Sequence, residues 1–394
     1  SPVTNVVITS AARTAVGSYG RSLAGVSPTE LGTIAAKAAI ERSQIGADQL
    51  EHVVFGNVIH TEPRDAYCAR VVGMQAGTPK EVPAFTVNRL CGSGAQAIVS
   101  ATQTIQTGEA RVALAGGCES MSRAPMWLPQ ARWGSKMGPA PIIDPVQGAL
   151  SDPFDSEKMG VTAERLADQM SISREEQDAF AVESHRRASE AQAAGKFDDE
   201  IVPVEIKVKR EKVAFDKDEH IRHDVDQAAM AKLPAIFREN GTVTAGNASG
   251  MNDAGAALVL MDAERAAELG APVRAKILSY ASCGVDPEIM GIGPVPAVQR
   301  ALSRAGVELD QVGVIELNEA FAAQALAVIK DLDLDPAKVN PNGGAVALGH
   351  PIAATGAVIT TKCISEMERE GHEYGLVTLC IGGGQGIAIL LGRP

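Results

Sequence analysis

The chain has 394 residues, more than one hydrophobic core usually supports, so two or three domains are expected. With 45% hydrophobic and 21% charged residues it has a globular composition, which excludes wholesale disorder. A net charge of −12 and only 4% aromatics argue against nucleic-acid and membrane-surface partners, so an anionic ligand would need its own local cation or helix N-terminus.

The first stretch alternates strands and helices. VTNVVITSAA reads as a β-branched strand, and Ser27-Pro28-Thr29-Glu30 is a capping box that opens a helix to about Arg42. HVVFGNVI and Ala84 to Asn88 read as further strands. A helix from about Gly94 to Thr107 then leads to the strand RVALAGG. This alternation predicts a parallel sheet covered by helices.

From Glu119 the texture changes. Pro, Trp and Met crowd residues 121–160, two helices follow, the second opened by Ser173-Arg174-Glu175-Glu176, and a charged stretch runs to about Asn240. Its basic part, Lys207 to Lys212, reads as the solvated face of an edge strand. Residues 119–249 are therefore read as an inserted loop domain. The α/β pattern resumes at AALVLMD. Residues 1–118 with 250–270 then form one half and residues 271–394 the other. No apolar run approaches the ~20 residues of a membrane span, and SPVTNVVITS lacks the basic start of a signal peptide, so a cytoplasmic protein is expected.

The two halves echo each other. Cys91-Gly-Ser-Gly-Ala opens a helix that leads to RVALAGG, and His350-Pro-Ile-Ala-Ala-Thr-Gly-Ala opens one that leads to YGLVTLCIGGG. Two similar α/β halves meeting at one face would bring these helix starts together.

Six cysteines, Cys68, Cys91, Cys118, Cys283, Cys363 and Cys380, show no C-x-x-C pair and no zinc spacing, so neither a disulfide framework nor a metal is expected. Two of them stand out. Cys91 sits where a strand turns through glycines into a helix, and the helix terminus would favour its thiolate. On position alone, a buried cysteine in a glycine turn fits equally well. Cys380 ends an apolar strand and is followed by Gly382-Gly383-Gly384-Gln385-Gly386, whose bare backbone N–H groups suit an oxyanion hole. His350 lies between Gly349 and Pro351, so its ring is presented rather than packed along a helix face. Asn318, after VGVIEL, reads as a helix N-cap or as an amide that holds a water. Gly92 to Ala97 also matches G-x-G-x-x-A, but it lies late in the chain and no acidic residue ends RVALAGG, which weighs against a dinucleotide site.

Five segments, NRLCGSG, GTVTAGNASG, NEAFA, NPNGGAVALGHP and CIGGGQG, resemble the signatures of the thiolase family, in order and across nearly the whole chain. With GNVIHTEPRDAYCAR and the long excursion, the likeness is greatest to tetrameric short-chain bacterial β-ketothiolases. It implies an α/β fold of five layers, α-β-α-β-α, built from two similar βαβ-type halves with an inserted loop domain. It implies an acyl-CoA acyltransferase that condenses acetyl-CoA with an acyl-CoA to 3-oxoacyl-CoA plus CoA, reversibly. Coenzyme A and acyl-CoA would be substrates, with no permanently bound cofactor.

By this likeness Cys91 carries the acyl group, His350 takes its proton, and Cys380 deprotonates the acetyl methyl group. His350 and a water on Asn318 would form one oxyanion hole, and the backbone of Cys91 and Gly382 the other. Coenzyme A would lie on Leu150, Lys158, Met159, Arg222, Phe237, Ala245, Ser249, Met290 and Phe321. Two positions depart from the family pattern: Lys158 replaces a histidine that touches the CoA tail, and Ala353 replaces a glycine after His350-Pro351-Ile352. The related ketoacyl synthases use two histidines, whereas Cys380 occupies the second position here. An inactive acyl-CoA binder would not need all four of Cys91, Asn318, His350 and Cys380. The residues Met126, Trp127, Trp133 and Met137 need a partner surface, which fits a homotetramer, a dimer of dimers tied by this loop.

Overall fold

The computed structural model describes residues 4–394. Nine strands make the path of the main sheet: β1 (Val6–Thr14), β2 (His52–Gly56), β3 (Ala84–Val87), β4 (Val112–Ser120), β5 (Asn252–Asp262), β6 (Ala275–Gly284), β7 (Val314–Leu317), β8 (Tyr374–Ile381) and β9 (Gln385–Gly392). The longer helices are α1 (Pro28–Arg42), α2 (Cys68–Gln75), α3 (Ser93–Gln106), α4 (Met159–Gln169), α5 (Arg174–Ala193), α6 (Pro294–Ala305), α7 (Ala322–Leu332) and α8 (Thr355–Glu370).

The first half runs β3-β2-β4-β5-β1 and the second β6-β9-β8-β7. In each half the outer strands are parallel and the inner ones antiparallel. The two half-sheets are hydrogen-bonded where β1 meets β6, at Val7 with Lys276 and Ile8 with Ala275. A parallel bridge from Ile315 to Val339 stands in the second half where β3 stands in the first.

Side chains alternate across each strand, so each half-sheet buries both faces. Ile8, Leu258, Val377 and Ile389 face an inner layer made by α3 and α8, with Ile98 and Val358 among them. Val7, Leu114 and Val259 face outward, with Val72 of α2 and Ala36 of α1 against them. Leu376 and Leu390 face outward under α6 and α7. The result is five layers, helix, sheet, helix, sheet, helix.

Several expected elements shift at their ends. β2 stops at Gly56 because Asn57, Val58 and Ile59 turn away to bond Glu119, and β4 runs on to Ser120. Ser27 caps α1 through the N–H of Glu30, but its hydroxyl also accepts from Arg64 instead of completing a capping box. The cap at Ser173 is reciprocal as expected. Lys207 to Lys212 form an exposed two-stranded hairpin, with Lys209 and Arg210 at positive φ in its turn, apart from the main sheet.

The excursion leaves the sheet after Ser120, touches it again where Ile201 and Val202 pair in parallel with Arg13 and Thr14 of β1, and rejoins at Asn252, yet its helix α4 packs on the second half. Ala163 and Leu166 of α4 meet Ala323 and Ala327 of α7 in one apolar cluster. A buried ion triad also ties it to β1: Arg13 pairs with Glu200 at 2.9 Å and with Asp218 at 2.9 and 3.0 Å. Removing one partner would strand a buried charge, at a cost of about 3–5 kcal/mol.

Candidate active site

Cys91 lies in a single turn, Leu90–Gly92, that runs straight into α3. The turn is tight enough that Leu90 adopts φ +47°, and Asn88 Oδ1 accepts its N–H at 2.9 Å. Ser93 Oγ locks the other side, accepting from Arg89 N at 2.8 Å and donating to Leu90 O at 2.7 Å. Gly92 has no room for a side chain, since a Cβ there would run into Ile381 of β8. The Cys91 turn of the first half thus rests on the last residue of a strand of the second.

Burial works against the expectation that the helix terminus favours the Cys91 thiolate. Burial pushes its pKa up to about 11, against the backbone N–H groups of Gly382 and Cys91 itself. Desolvation of the anion outweighs the helix end.

His350 is buried, and its backbone N–H donates to Asn252 Oδ1 at 2.9 Å. It precedes α8 by a full turn, Pro351 to Ala354, rather than opening the helix as expected. Its Nδ1 lies 2.6 Å from Thr355 Oγ1, and that hydroxyl donates onward to Pro351 O at 3.2 Å. Thr355 therefore accepts from Nδ1–H, which leaves Nε2 as the bare nitrogen. Burial alone holds the pKa of His350 down to about 4, so the ring is neutral near neutrality. Cys91 and His350 are thus both neutral near neutrality, a thiol and an imidazole.

Asn318 is not the cap of α7, a position taken by Phe321. Its backbone N–H instead continues the β7–β8 pairing to Thr378 O at 3.0 Å. Its Nδ2 reaches toward His350 Nε2 at 3.5 Å, and its buried Oδ1 has no partner among the described residues.

Cys380 sits opposite Gly386 near the end of β8, and Gly383 and Gly384 both take φ +86° in the turn that follows. That geometry directs the Gly382 N–H at Cys91. Burial drives the Cys380 thiol far above its ordinary value, and a charge on Cys91 would push it further. The two sulfurs therefore cannot both ionise easily.

The expected CoA-lining residues separate into groups. Met159, Met290, Phe237 and Phe321 share one apolar cluster with Cys380, and Phe237 meets Phe321 edge-on at 6.0 Å. Leu150 packs beside Cys91 with Ile59, Val146 and Ile352. Ser249 joins them through its N–H to Ala320 O at 2.9 Å. Lys158 caps the start of α4 from the surface, bonded to Gln147, and Ala245 is exposed in a turn held by Thr244 and Asn247. Arg222 lies elsewhere, exposed between a cleft lined by Tyr19, Arg21 and His220 and another lined by Arg186 and His223.

The N-terminal domain of thiolase matches residues 6–264 and its C-terminal domain residues 271–393. The chain belongs to the thiolase family. It is 57% identical over 98% of its length to the beta-ketothiolase BktB of Cupriavidus necator, covering 99% of that protein. Its fold superposes on the acetyl-CoA acetyltransferase of Bacillus anthracis with TM-score 0.97 at 46% identity, over 100% of this chain and 99% of the other. The human mitochondrial 3-ketoacyl-CoA thiolase in complex with CoA gives TM-score 0.97 at 42% identity, over 100% and 98%. This thiolase is accordingly an acyl-CoA acyltransferase that uses coenzyme A thioesters as substrates.

Three residues that hold the thiolase site escaped the sequence. Thr355 and Asn252 fix His350 from both sides, and Glu119 accepts the Ala353 N–H in the turn after it. Only Thr355 left a trace, as a hydroxyl within the same turn as a histidine that needs an Nδ1 partner. The Ala353 departure is absorbed: its backbone avoids positive φ, and Gly94 and Gly117 leave room for its carbonyl.

Proposed function

We propose that this thiolase condenses acetyl-CoA with short acyl-CoAs, and cleaves short 3-oxoacyl-CoAs in reverse, through an acyl group on Cys91. The observation that carries the reading is the convergence on Cys91 of the Gly382 N–H and of a second thiol, Cys380. Because the resting thiol is neutral, its proton leaves to His350 Nε2 as sulfur attacks the thioester carbonyl. The tetrahedral oxyanion is met by the backbone N–H groups of Cys91 and Gly382. CoA departs as its thiol by taking the Cys380 proton, and the Cys380 thiolate so formed removes a proton from the methyl group of a second acetyl-CoA. The carbon of that acetyl-CoA then attacks the acyl carbonyl and displaces Cys91 to give the 3-oxoacyl-CoA. The enolate oxygen is held by His350 and by a water on the unpartnered Asn318 amide oxygen.

The inserted segment is proposed to cover the pantetheine arm with Leu150, Met159, Phe237 and Ser249, with Met290 and Phe321 from the second half opposite. Arg222 is proposed to take the adenine or phosphates, its exposed guanidinium being a cation in an acidic chain. A dimer of dimers is proposed as well. Support comes from Trp133 and Met137, 88% and 94% exposed on one loop. A cytoplasmic setting fits six cysteines that all remain free. The test is to supply acetyl-CoA alone and follow free CoA with acetoacetyl-CoA, then compare acetoacetyl-CoA with longer 3-oxoacyl-CoAs in thiolysis. Faster cleavage of the longer substrates would remove the short-chain assignment.

A further inference from the structure

Glu119 is fully buried near the end of β4, and no step above uses it. Its Oε1 accepts from Val58 N at 3.3 Å and Ala353 N at 3.1 Å. Its Oε2 accepts from Ile59 N at 3.1 Å and Asn57 Nδ2 at 3.2 Å. Four N–H donors fill both oxygens, and the amide oxygen of Asn57, beside them, has no partner among the described residues. A buried carboxylate is costly unless so satisfied, and a plain structural turn does not need one.

The two sides of this clamp belong to different halves of the molecule. Val58 and Cys91 both pack against the cluster that holds Ile59 and Ile352. Ala353 lies in the turn between His350 and α8 and presses its carbonyl where Gly94 of α3 and Gly117 of β4 lack side chains. At the matching strand end of the second half the chain has Ile381, which offers no such bonds.

We propose that Glu119 is a positioning residue for acyl transfer: its carboxyl group fixes the His350 turn of one half against the Cys91 pocket of the other. The proposal rests on the reading of Cys91 as nucleophile and His350 as its base. Catalysis loses rate steeply when a base is misplaced by about 1 Å, so such a clamp acts on turnover rather than on CoA affinity. Burial raises the pKa of Glu119 to about 8, opposed by the N–H groups of Ile59, Ala353 and Val58, with Asp65 as the nearby carboxyl that adds to the rise. Above that pH its charge opposes ionisation of Cys91. A charge effect and a reach effect can therefore be separated.

Three variants make the test. Glu119→Gln swaps an acceptor for a donor, Glu119→Asp keeps the charge but withdraws it by one methylene, and Asn57→Ala removes a single donor. Steady-state kinetics, thermal unfolding and the pH dependence of Cys91 alkylation by iodoacetamide are read for each. Glu119→Gln is expected to lower kcat at least tenfold with KM for CoA thioesters within twofold, and to move the alkylation midpoint to lower pH. Glu119→Asp is expected to lower kcat similarly while its midpoint stays near wild type. Asn57→Ala, the milder variant should the others not fold, is expected to lower kcat about threefold with KM unchanged. Full activity of Glu119→Gln or Asn57→Ala with a lowered melting temperature would reduce Glu119 to a structural group. Full activity of Glu119→Asp would do the same for its reach. Acetylation of wild type at a cysteine other than Cys91 would instead sink the underlying reading.

Discussion

The same strand pair closes differently in the two halves. In the second, β8 returns to β9 through Gly382–Gly384. In the first, β4 returns to β5 only after the whole excursion of residues 121–251. Each pair carries a cysteine near its end on the outward face, Cys118 opposite Gly255 and Cys380 opposite Gly386. Cys118 is sealed under α1 and α2, with its sulfur 3.3 Å from that of Cys68. Cys380 instead meets Met159, Phe321 and Met290 under the inserted segment. A scaffold used twice thus places its two cysteines in different surroundings, according to what closes the strands and what covers the face, and the proposed function gives only Cys380 a reactive role.

Exchanging each cysteine breaks or sharpens that contrast. Cys380→Ala is expected to leave Cys91 acetylation intact while slowing deuterium exchange at the acetyl methyl group by roughly 10²–10⁴. Full-rate exchange would remove Cys380 as the second base. Thr355→Val leaves His350 in place but deletes the partner of Nδ1. One hydrogen bond is worth about 0.5–1.5 kcal/mol, so kcat should fall by up to roughly tenfold, with little change in KM. An unchanged kcat would mean that another group sets the tautomer.

Cys118→Ala is the matching control. Activity should stay within twofold, while the lost sulfur contacts destabilise the fold by about 1 kcal/mol in denaturant unfolding. A large loss of activity would show that the first half contributes more than a scaffold. The smallest catalytic effect is expected for Trp133→Ser with Met137→Ser. Light scattering should then show dimers in place of tetramers at unchanged kcat, and a wild-type dimer at micromolar concentration would refute the loop as a tie.

Much of this was legible in the sequence because its signals are local. Glycines beside Cys91 and Cys380, the reciprocal cap at Ser173 and the β/α alternation each act within a few residues. What stayed hidden acts across the chain: Asn252 reaches His350 over 98 positions, and Glu119 reaches Ala353 over 234. The ionisation of Cys91 was read the wrong way for the same reason. A helix start is visible in sequence, whereas the burial that outweighs it depends on how the chain packs around the thiol. Asn318 does not cap α7, because that helix begins only at Ala322, after Phe321.

The claim on which the rest depends is that Cys91, alone among six free cysteines, receives the acyl group. Wild type and Cys91→Ser should each be mixed with acetyl-CoA, quenched in acid, digested and mapped by mass spectrometry. One acetyl group on the peptide holding Cys91 in wild type, and none anywhere in Cys91→Ser, is the expected result. An acetyl group on Cys380 or another residue in wild type, or a variant that still turns over, would contradict it.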